Sequence, residues 1–263
     1  MIFAKKSLGQ NFLKNKDIIQ EIVKVAKITE TDTVLEIGPG QGVLTEALLK
    51  TGATVIAVEK DDRLIDILNE KFTEYVTKGL FKLIHDDILI FEPSQHNLEA
   101  GKYKLVANIP YYITGQILRQ FLDGECPPSL MVLMLQKEVA ERIVTRNTKE
   151  SILSISVKVY GKPKYIRTVA RGNFQPIPNV DSAILLIDDI SKNFFTEIPA
   201  KLFFEIIKQG FGKKRKMLKG NLEINEEILI KSNISPKARA EELTLEQWGD
   251  LIKQMQIANK ETT

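Results

Sequence analysis

Asn108-Ile109-Pro110-Tyr111 combines an amide, a rigid turn and an aromatic ring within four residues. The Asn108 side-chain oxygen and a backbone carbonyl of Ile109 or Pro110 can accept hydrogen bonds from an aromatic amine. Two such acceptors favour a more tetrahedral nitrogen with a localised lone pair, which is what so weak a nucleophile needs in order to be alkylated. Pro110 stiffens the turn, and Tyr111 offers a face on which an extruded base can stack. The plain alternative is a turn that merely ends a strand.

Three further signals stand upstream. Gly38, Gly40 and Gly42 form a G-x-G-x-G run just after Glu36, which differs from the dinucleotide-binding G-x-G-x-x-G spacing. Glycines there let backbone approach a ligand closely. Glu59, 21 residues beyond Gly38, is placed to accept hydrogen bonds from the two hydroxyls of a ribose, unless it is simply a surface acid. Asp87, next to Asp86, can accept from an adenine amine or can simply begin a loop. The glycines and Glu59 suit NAD and S-adenosylmethionine equally. The Asn108–Tyr111 turn tips the reading toward the methyl donor and away from a dehydrogenase.

Other chemistries find little support. Cys126 is the single cysteine, which rules out an internal disulfide and a cysteine zinc site. His85 and His96 lack metal-ligand spacing, so no metal is expected and a His-activated nucleophile is disfavoured. A reactive cofactor must then carry the chemistry.

The elements that would position these residues alternate. The spacing predicts a helix over about 17–27, a strand over 33–37, a helix over 42–50, a strand over 54–58 and a helix over 61–76. Strands are predicted at 80–84, 104–107 and 130–135, a helix at 138–145, and strands at 155–160 and 182–187. This is the pattern of an open, largely parallel sheet covered on both faces, an α/β Rossmann-like fold. The four signals fall at the carboxyl ends of successive strands, where such sheets bind ligands. Beyond 190–199, read as a linker, only helices are predicted, at 200–209, 215–222 and 245–256. The expected organisation is a catalytic domain over 1–190 and a small all-helical domain over 191–263.

With 263 residues, 43% of them hydrophobic and 27% charged, the chain suits a soluble globular protein. Neither a signal peptide nor an apolar stretch long enough to span a bilayer is evident, so a cytoplasmic location is expected. Net charge is only +3, but its distribution is uneven. From Val157 to Asn173 there are five basic residues (Lys158, Lys162, Lys164, Arg167, Arg171) and no acid. From Ile206 to Leu222 there are six (Lys208, Lys213, Lys214, Arg215, Lys216, Lys219), again with no acid. With Lys5, Lys6, Lys14 and Lys16, these runs favour a polyanionic partner over a merely solvated face.

Taken together with Leu8-Gly9-Gln10-Asn11-Phe12-Leu13, Glu36–Gly42, Asn108–Tyr111, Asn173-Phe174-Gln175-Pro176 leading into Val180-Asp181-Ser182-Ala183, Lys214–Leu218 and Arg239–Leu243, the chain resembles the small-subunit ribosomal RNA adenine dimethyltransferases of the KsgA type. The resemblance covers essentially the whole chain. It implies a Rossmann-like S-adenosylmethionine-dependent fold and a donor site made by Asn11, Leu13, Gly38, Glu59, Asp87 and Asn108. It also implies that Phe174 faces Tyr111 across the target adenine, completing a catalytic set with Asn108 and Pro110. Two methyl groups would go to each of two adjacent adenines near the 3′ end of 16S ribosomal RNA. The implied partner is that RNA within the assembling small subunit. Lys213, Lys214, Arg215 and Lys216 of the second basic run are expected to contact it, and the enzyme is expected to be a monomer.

Two departures stand out. Gly115-Gln116 occupies the place where relatives often have Thr-Pro, and the last basic run has Lys214 and Met217 where arginine and threonine are common. Lysine binds phosphate as a point charge, which weakens the case for bidentate contacts there. Two alternatives remain: a 23S ribosomal RNA adenine methyltransferase of the macrolide-resistance type, and a ribosome assembly factor whose chemistry is secondary.

Overall fold

The computed structural model describes residue 5 and residues 8–145 and 149–261. Lys6, part of the N-terminal basic group, lies outside the described residues. In chain order the elements are β1 (Phe12–Leu13), α1 (Lys16–Val25), β2 (Thr33–Ile37), α2 (Val43–Leu49), β3 (Thr54–Glu59), α3 (Asp62–Lys71), α4 (Thr73–Thr77), β4 (Phe81–His85) and β5 (Lys104–Asn108). They continue with α5 (Thr114–Asp123), β6 (Leu130–Gln136), α6 (Lys137–Ile143), α7 (Ile152–Lys158), β7 (Lys162–Val169), β8 (Phe174–Gln175) and β9 (Ser182–Asp188). Helices α8 (Ala200–Gly210), α9 (Leu218–Leu222), α10 (Glu226–Lys231) and α11 (Leu245–Glu261) complete the chain.

Seven strands form one sheet in the order β4-β3-β2-β5-β6-β9-β7, and β1 pairs with β8 in a separate two-stranded ribbon. The five strands from β4 to β6 are parallel, whereas β9 runs antiparallel to both β6 and β7. Strands buried on both faces read as unbroken apolar runs, as Leu130–Leu135 and Val55–Val58 do. From β2 the sheet grows in opposite directions, through β3 on one side and β5 on the other. A crevice therefore opens outside the carboxyl ends of these strands.

One layer of the core sits between the sheet and helices α1, α2 and α3. Asn15 caps α1 by accepting from the Asp17 and Ile18 N–H groups, and Ile18, Ile19, Ile22 and Val23 turn inward. They meet Leu44, Leu48, Leu64 and Leu68 over Val34, Val55 and Val106.

Backbone packing divides the chain into two compact units, Met1–Ala140 with Gly161–Ile190, and Glu141–Tyr160 with Ser191–Thr263. The division differs from a simple split at residue 190, because Glu141–Tyr160 groups with the later helices. The second unit is organised around fully buried Trp248, whose ring stacks on Phe211 at 6.0 Å and lies so close to Gly210 that a Cβ there would come within 2.5 Å. Phe194, Phe195, Phe203 and Phe204 pack edge to face beside it, inside the stretch read as a linker and the helix that follows.

Two further elements correct the sequence reading. The stretch 155–160, expected as a strand, belongs largely to helix α7. Ser151 and Ser154 form a reciprocal capping box there, and the cap outweighs the strand propensity of Ile155 and Val157. The predicted 61–76 helix is two helices, with Phe72 between them buried against Phe81. Among the described residues no helix is long and apolar enough to cross a membrane.

Candidate active site

A cavity at the carboxyl edge of β2, β3 and β5 encloses about 1220 Å³ of atom-free space, its open mouth included. Asn11, Leu13, Gly38, Glu59, Asp87, Asn108, Pro110 and Tyr111 all line it. The fold thus brings together the donor residues expected from sequence and three of the four expected catalytic ones.

The glycine turn forms one wall. Gly38 has φ +64° and a Cβ placed there would meet nothing within 4 Å, so backbone lies open to the cavity at that point. Gly40, at φ +56°, is crowded: a Cβ would come within 2.9 Å of the Phe12 ring. Both positions need left-handed backbone, which glycine adopts without penalty. Glu59, the last residue of β3 and 5% exposed, accepts from the Gly40 N–H at 3.1 Å through one oxygen and from the Asp61 N–H at 2.8 Å through the other. It thereby ties the glycine turn to the start of α3. Burial pushes its pKa up, while those two backbone donors oppose the shift. Each oxygen keeps acceptor capacity for a hydroxyl.

Neighbouring carboxylates behave differently. Asp61 is held well below the usual carboxylate range, chiefly by Arg63 at 2.5 and 2.8 Å, with Gln10 adding a further bond at 2.8 Å. Asp87 is lowered by the Lys60 ammonium 2.6 Å away and also accepts from the Leu89 N–H at 3.1 Å. Glu36, in the middle of the sheet, is fully buried and pushed up to about 8 by that burial. It therefore stays neutral near pH 7, with its Oε2 unpartnered.

The opposite wall carries the catalytic turn. Asn108 ends β5, and its side-chain NH₂ donates to the Asn11 backbone carbonyl at 3.0 Å. That bond fixes which way the amide points and leaves Oδ1 as the acceptor. Asn11 is in turn anchored by its own side chain to the Gly9 carbonyl at 3.1 Å. Pro110 precedes a single 3₁₀ turn, Tyr111–Ile113, and the Thr114 hydroxyl closes the turn by donating to the Tyr111 carbonyl at 3.1 Å. The Tyr111 hydroxyl lies 2.8 Å from Ser182 Oγ, and burial raises its pKa.

Phe174 is placed differently. It sits on β8, paired with Leu13 of β1, and is 3% exposed within the hydrophobic core. It does not line the cavity. The segment around it is stitched to the N-terminus, with Lys14 N–H donating to the Asn173 carbonyl at 2.9 Å and Asn15 bonding Asn173 through their side chains at 2.9 Å. Lys213, Lys214, Arg215 and Lys216 belong to the second unit, exposed in the turn between α8 and α9. Sequence reasoning passed over Gln10, Lys60 and Tyr112, all of which line the cavity. Gln10 and Lys60 act through carboxylates distant or ambiguous in sequence, so no local motif marks them.

The residues present fit a nucleoside-bearing methyl donor. Backbone at Gly38 is open, a buried carboxylate with spare acceptor capacity follows the second parallel strand, and a second carboxylate follows the third.

Comparison with known proteins agrees. The family model for ribosomal RNA adenine dimethylase matches residues 2–256. A protein of Dehalococcoides mccartyi called ribosomal RNA small subunit methyltransferase A is 43% identical over 94% of this chain and 87% of its own length. Among solved structures, the 23S rRNA methyltransferase ErmE superposes with a TM-score of 0.78 at 24% identity, covering 94% of this chain and 100% of that one. A dimethyladenosine transferase from Plasmodium falciparum gives the same TM-score and identity over 94% and 98%. Fold and cavity thus define a Rossmann-like methyltransferase of the S-adenosylmethionine-dependent class. Within that class the chain belongs to the ribosomal RNA adenine dimethylase family.

Proposed function

We propose that this chain dimethylates the N6 amines of two adjacent adenines near the 3′ end of 16S ribosomal RNA, acting as a cytoplasmic monomer on the assembling small subunit. The observation that carries the proposal is the Asn108 amide, held by the Asn11 carbonyl in the same cavity as the glycine turn and Glu59. S-adenosylmethionine would supply an electrophilic methyl group, held by Gly38, Glu59 and Asp87 together with Asn11, Leu13 and Asn108.

The chain's own work is orientation. Asn108 Oδ1 and the carbonyl of Ile109 or Pro110 accept the two amine N–H bonds and turn the nitrogen lone pair toward the donor. No strong base is required, because the nitrogen becomes acidic once alkylated and releases its proton to water or a nearby oxygen. Tyr111, fixed through Ser182, gives the base one face to stack on. Phe174 would give the other once its ring is uncovered from the core. Lys213, Lys214, Arg215 and Lys216 would meet RNA phosphates.

The likeness to ErmE concerns fold alone at that level of identity, whereas the 43% identical relative carries the small-subunit name. A labelled methyl donor offered to unmodified immature small subunits and, separately, to protein-free 23S RNA distinguishes the two substrates. Label on two neighbouring adenines of 16S RNA is expected. Label on 23S RNA alone would replace this reading with the large-subunit one.

A further inference from the structure

Beside the catalytic turn stands an aromatic ring that the chemistry above leaves unused. Tyr112 follows Tyr111 directly in the same 3₁₀ turn, lines the cavity, and is 63% exposed. The two neighbours differ sharply. Tyr111 is half-buried with its hydroxyl committed to Ser182. Among the described residues the Tyr112 hydroxyl takes no hydrogen bond, so the ring is held by contact and not by its polar tip.

The contact is specific. At Gly9, where φ is +61°, a Cβ would come within 3.0 Å of Tyr112 Cε1 and 3.2 Å of Cδ1. Backbone at Gly9 therefore braces one edge of the ring, while most of its surface stays in water. Lys60 lines the same cavity, its ammonium committed to Asp87 at 2.6 Å. An exposed ring on the cavity wall, one residue from a base-methylating turn, is the arrangement that single-stranded nucleic acid binds by stacking.

Methylating an adenine in RNA requires taking the base out of its stack, which leaves the adjoining base with an uncovered face. We infer that Tyr112 is a substrate-positioning residue whose ring stacks on the nucleotide adjoining the adenine in the catalytic turn. For adjacent target adenines, one such neighbour is itself a substrate, so the ring would hold the second adenine while the first is modified. The inference rests on the adenine-methylating reading of the cavity. An alternative occupant of the same ring is the adenine of the methyl donor, beside Asp87.

The test uses the full-length enzyme with unmodified small subunits, comparing wild type with Tyr112→Ala, Tyr112→Phe and Tyr112→Trp. Stacking predicts that Tyr112→Ala raises KM for the particle by about tenfold to a hundredfold, with kcat and donor Kd little changed. Tyr112→Phe restores the wild-type KM, because the hydroxyl has no role. In Tyr112→Trp, the added indole fluorescence is quenched when particles bind, against the constant signal of buried Trp248. An unchanged KM in Tyr112→Ala overturns the inference. So does a donor Kd that weakens in parallel, which would mean that the ring covers the donor or only braces the Gly9 segment. If the wild type methylates no small subunit, the functional reading itself fails, and that result is distinct from either outcome.

Discussion

The two acid-free basic runs look alike in sequence and differ in space. In the first, Lys162, Lys164 and Arg167 point outward from β7, the edge strand of the sheet, and pair with Asp189, Asp188 and Glu21. Lys158, at the end of α7, bridges Glu150 at 2.5 Å and the Thr145 hydroxyl at 2.6 Å. Arg171 bonds the Asn179 carbonyl. In the second run Lys219 pairs with Glu226, but Lys213, Lys214, Arg215 and Lys216 are all exposed and, among the described residues, carry no ion pair.

Charges on an edge strand blunt it against pairing with other chains, which gives the first run a structural reason to exist. An absence of acids nearby in sequence therefore says little about pairing in the fold. Glu21 lies 146 residues from Arg167.

This contrast can be broken by experiment. Replacing Lys213, Lys214, Arg215 and Lys216 together with alanine should weaken RNA binding at low salt by roughly two to three orders of magnitude. The slope of log Kd against log salt should flatten by about 3, as counterion release from four phosphate contacts requires. Filter binding across a salt series measures both quantities, and an unchanged slope would make this run a solvated face.

A smaller effect is expected at Lys158. Lys158→Ala leaves Glu150, whose Oε2 already lacks a partner, without its cation. Unfolding in urea should show a loss of about 1–2 kcal/mol, below the cost of breaking a fully buried pair.

The smallest change in RNA affinity is expected when Lys162, Lys164 and Arg167 are replaced together by serine. Exposed pairs contribute little, so Kd should move less than about threefold. Light scattering should instead show more self-association, because the edge has lost its charges. A loss of RNA affinity equal to that of the second run would erase the distinction.

Much of the parallel core was legible in the sequence. Thr33–Ile37 is a largely buried run, apolar from Val34 on except for Glu36 and followed by the glycine turn, and its strand bounds match the expectation. Glu59 and Asn108 could be read because each ends such a strand, where side chains converge whatever follows. Other elements were hidden for physical reasons. β7 alternates half-buried and exposed residues with Lys and Arg on the outer face, so its charges masked its strand character. In α7 a serine cap decided the conformation of residues that favour strands by type. Phe174 is in the core, the usual place for a phenylalanine in a strand-rich region, and it does not line the cavity across which the family resemblance sets it against Tyr111. Tyr112 stood in plain view within the turn, but its ring packs against Gly9, about a hundred residues upstream, where a Cβ would crowd it.

The central claim is that Asn108 orients the adenine amine, while most of the donor's binding comes from Gly38, Glu59 and Asp87 in the same cavity. Single-turnover methyl transfer from enzyme preloaded with S-adenosylmethionine to unmodified small subunits tests it most directly, with Asn108→Ala set against wild type and donor affinity measured alongside. The rate for Asn108→Ala should be lower by about 10²–10³, the usual loss for one preorganised hydrogen-bonding group. Donor affinity should fall less than about tenfold, reflecting the share of Asn108 in the donor site and its lost bond to the Asn11 carbonyl. Transfer by Asn108→Ala at the wild-type rate would contradict the assignment of the chemistry to this turn.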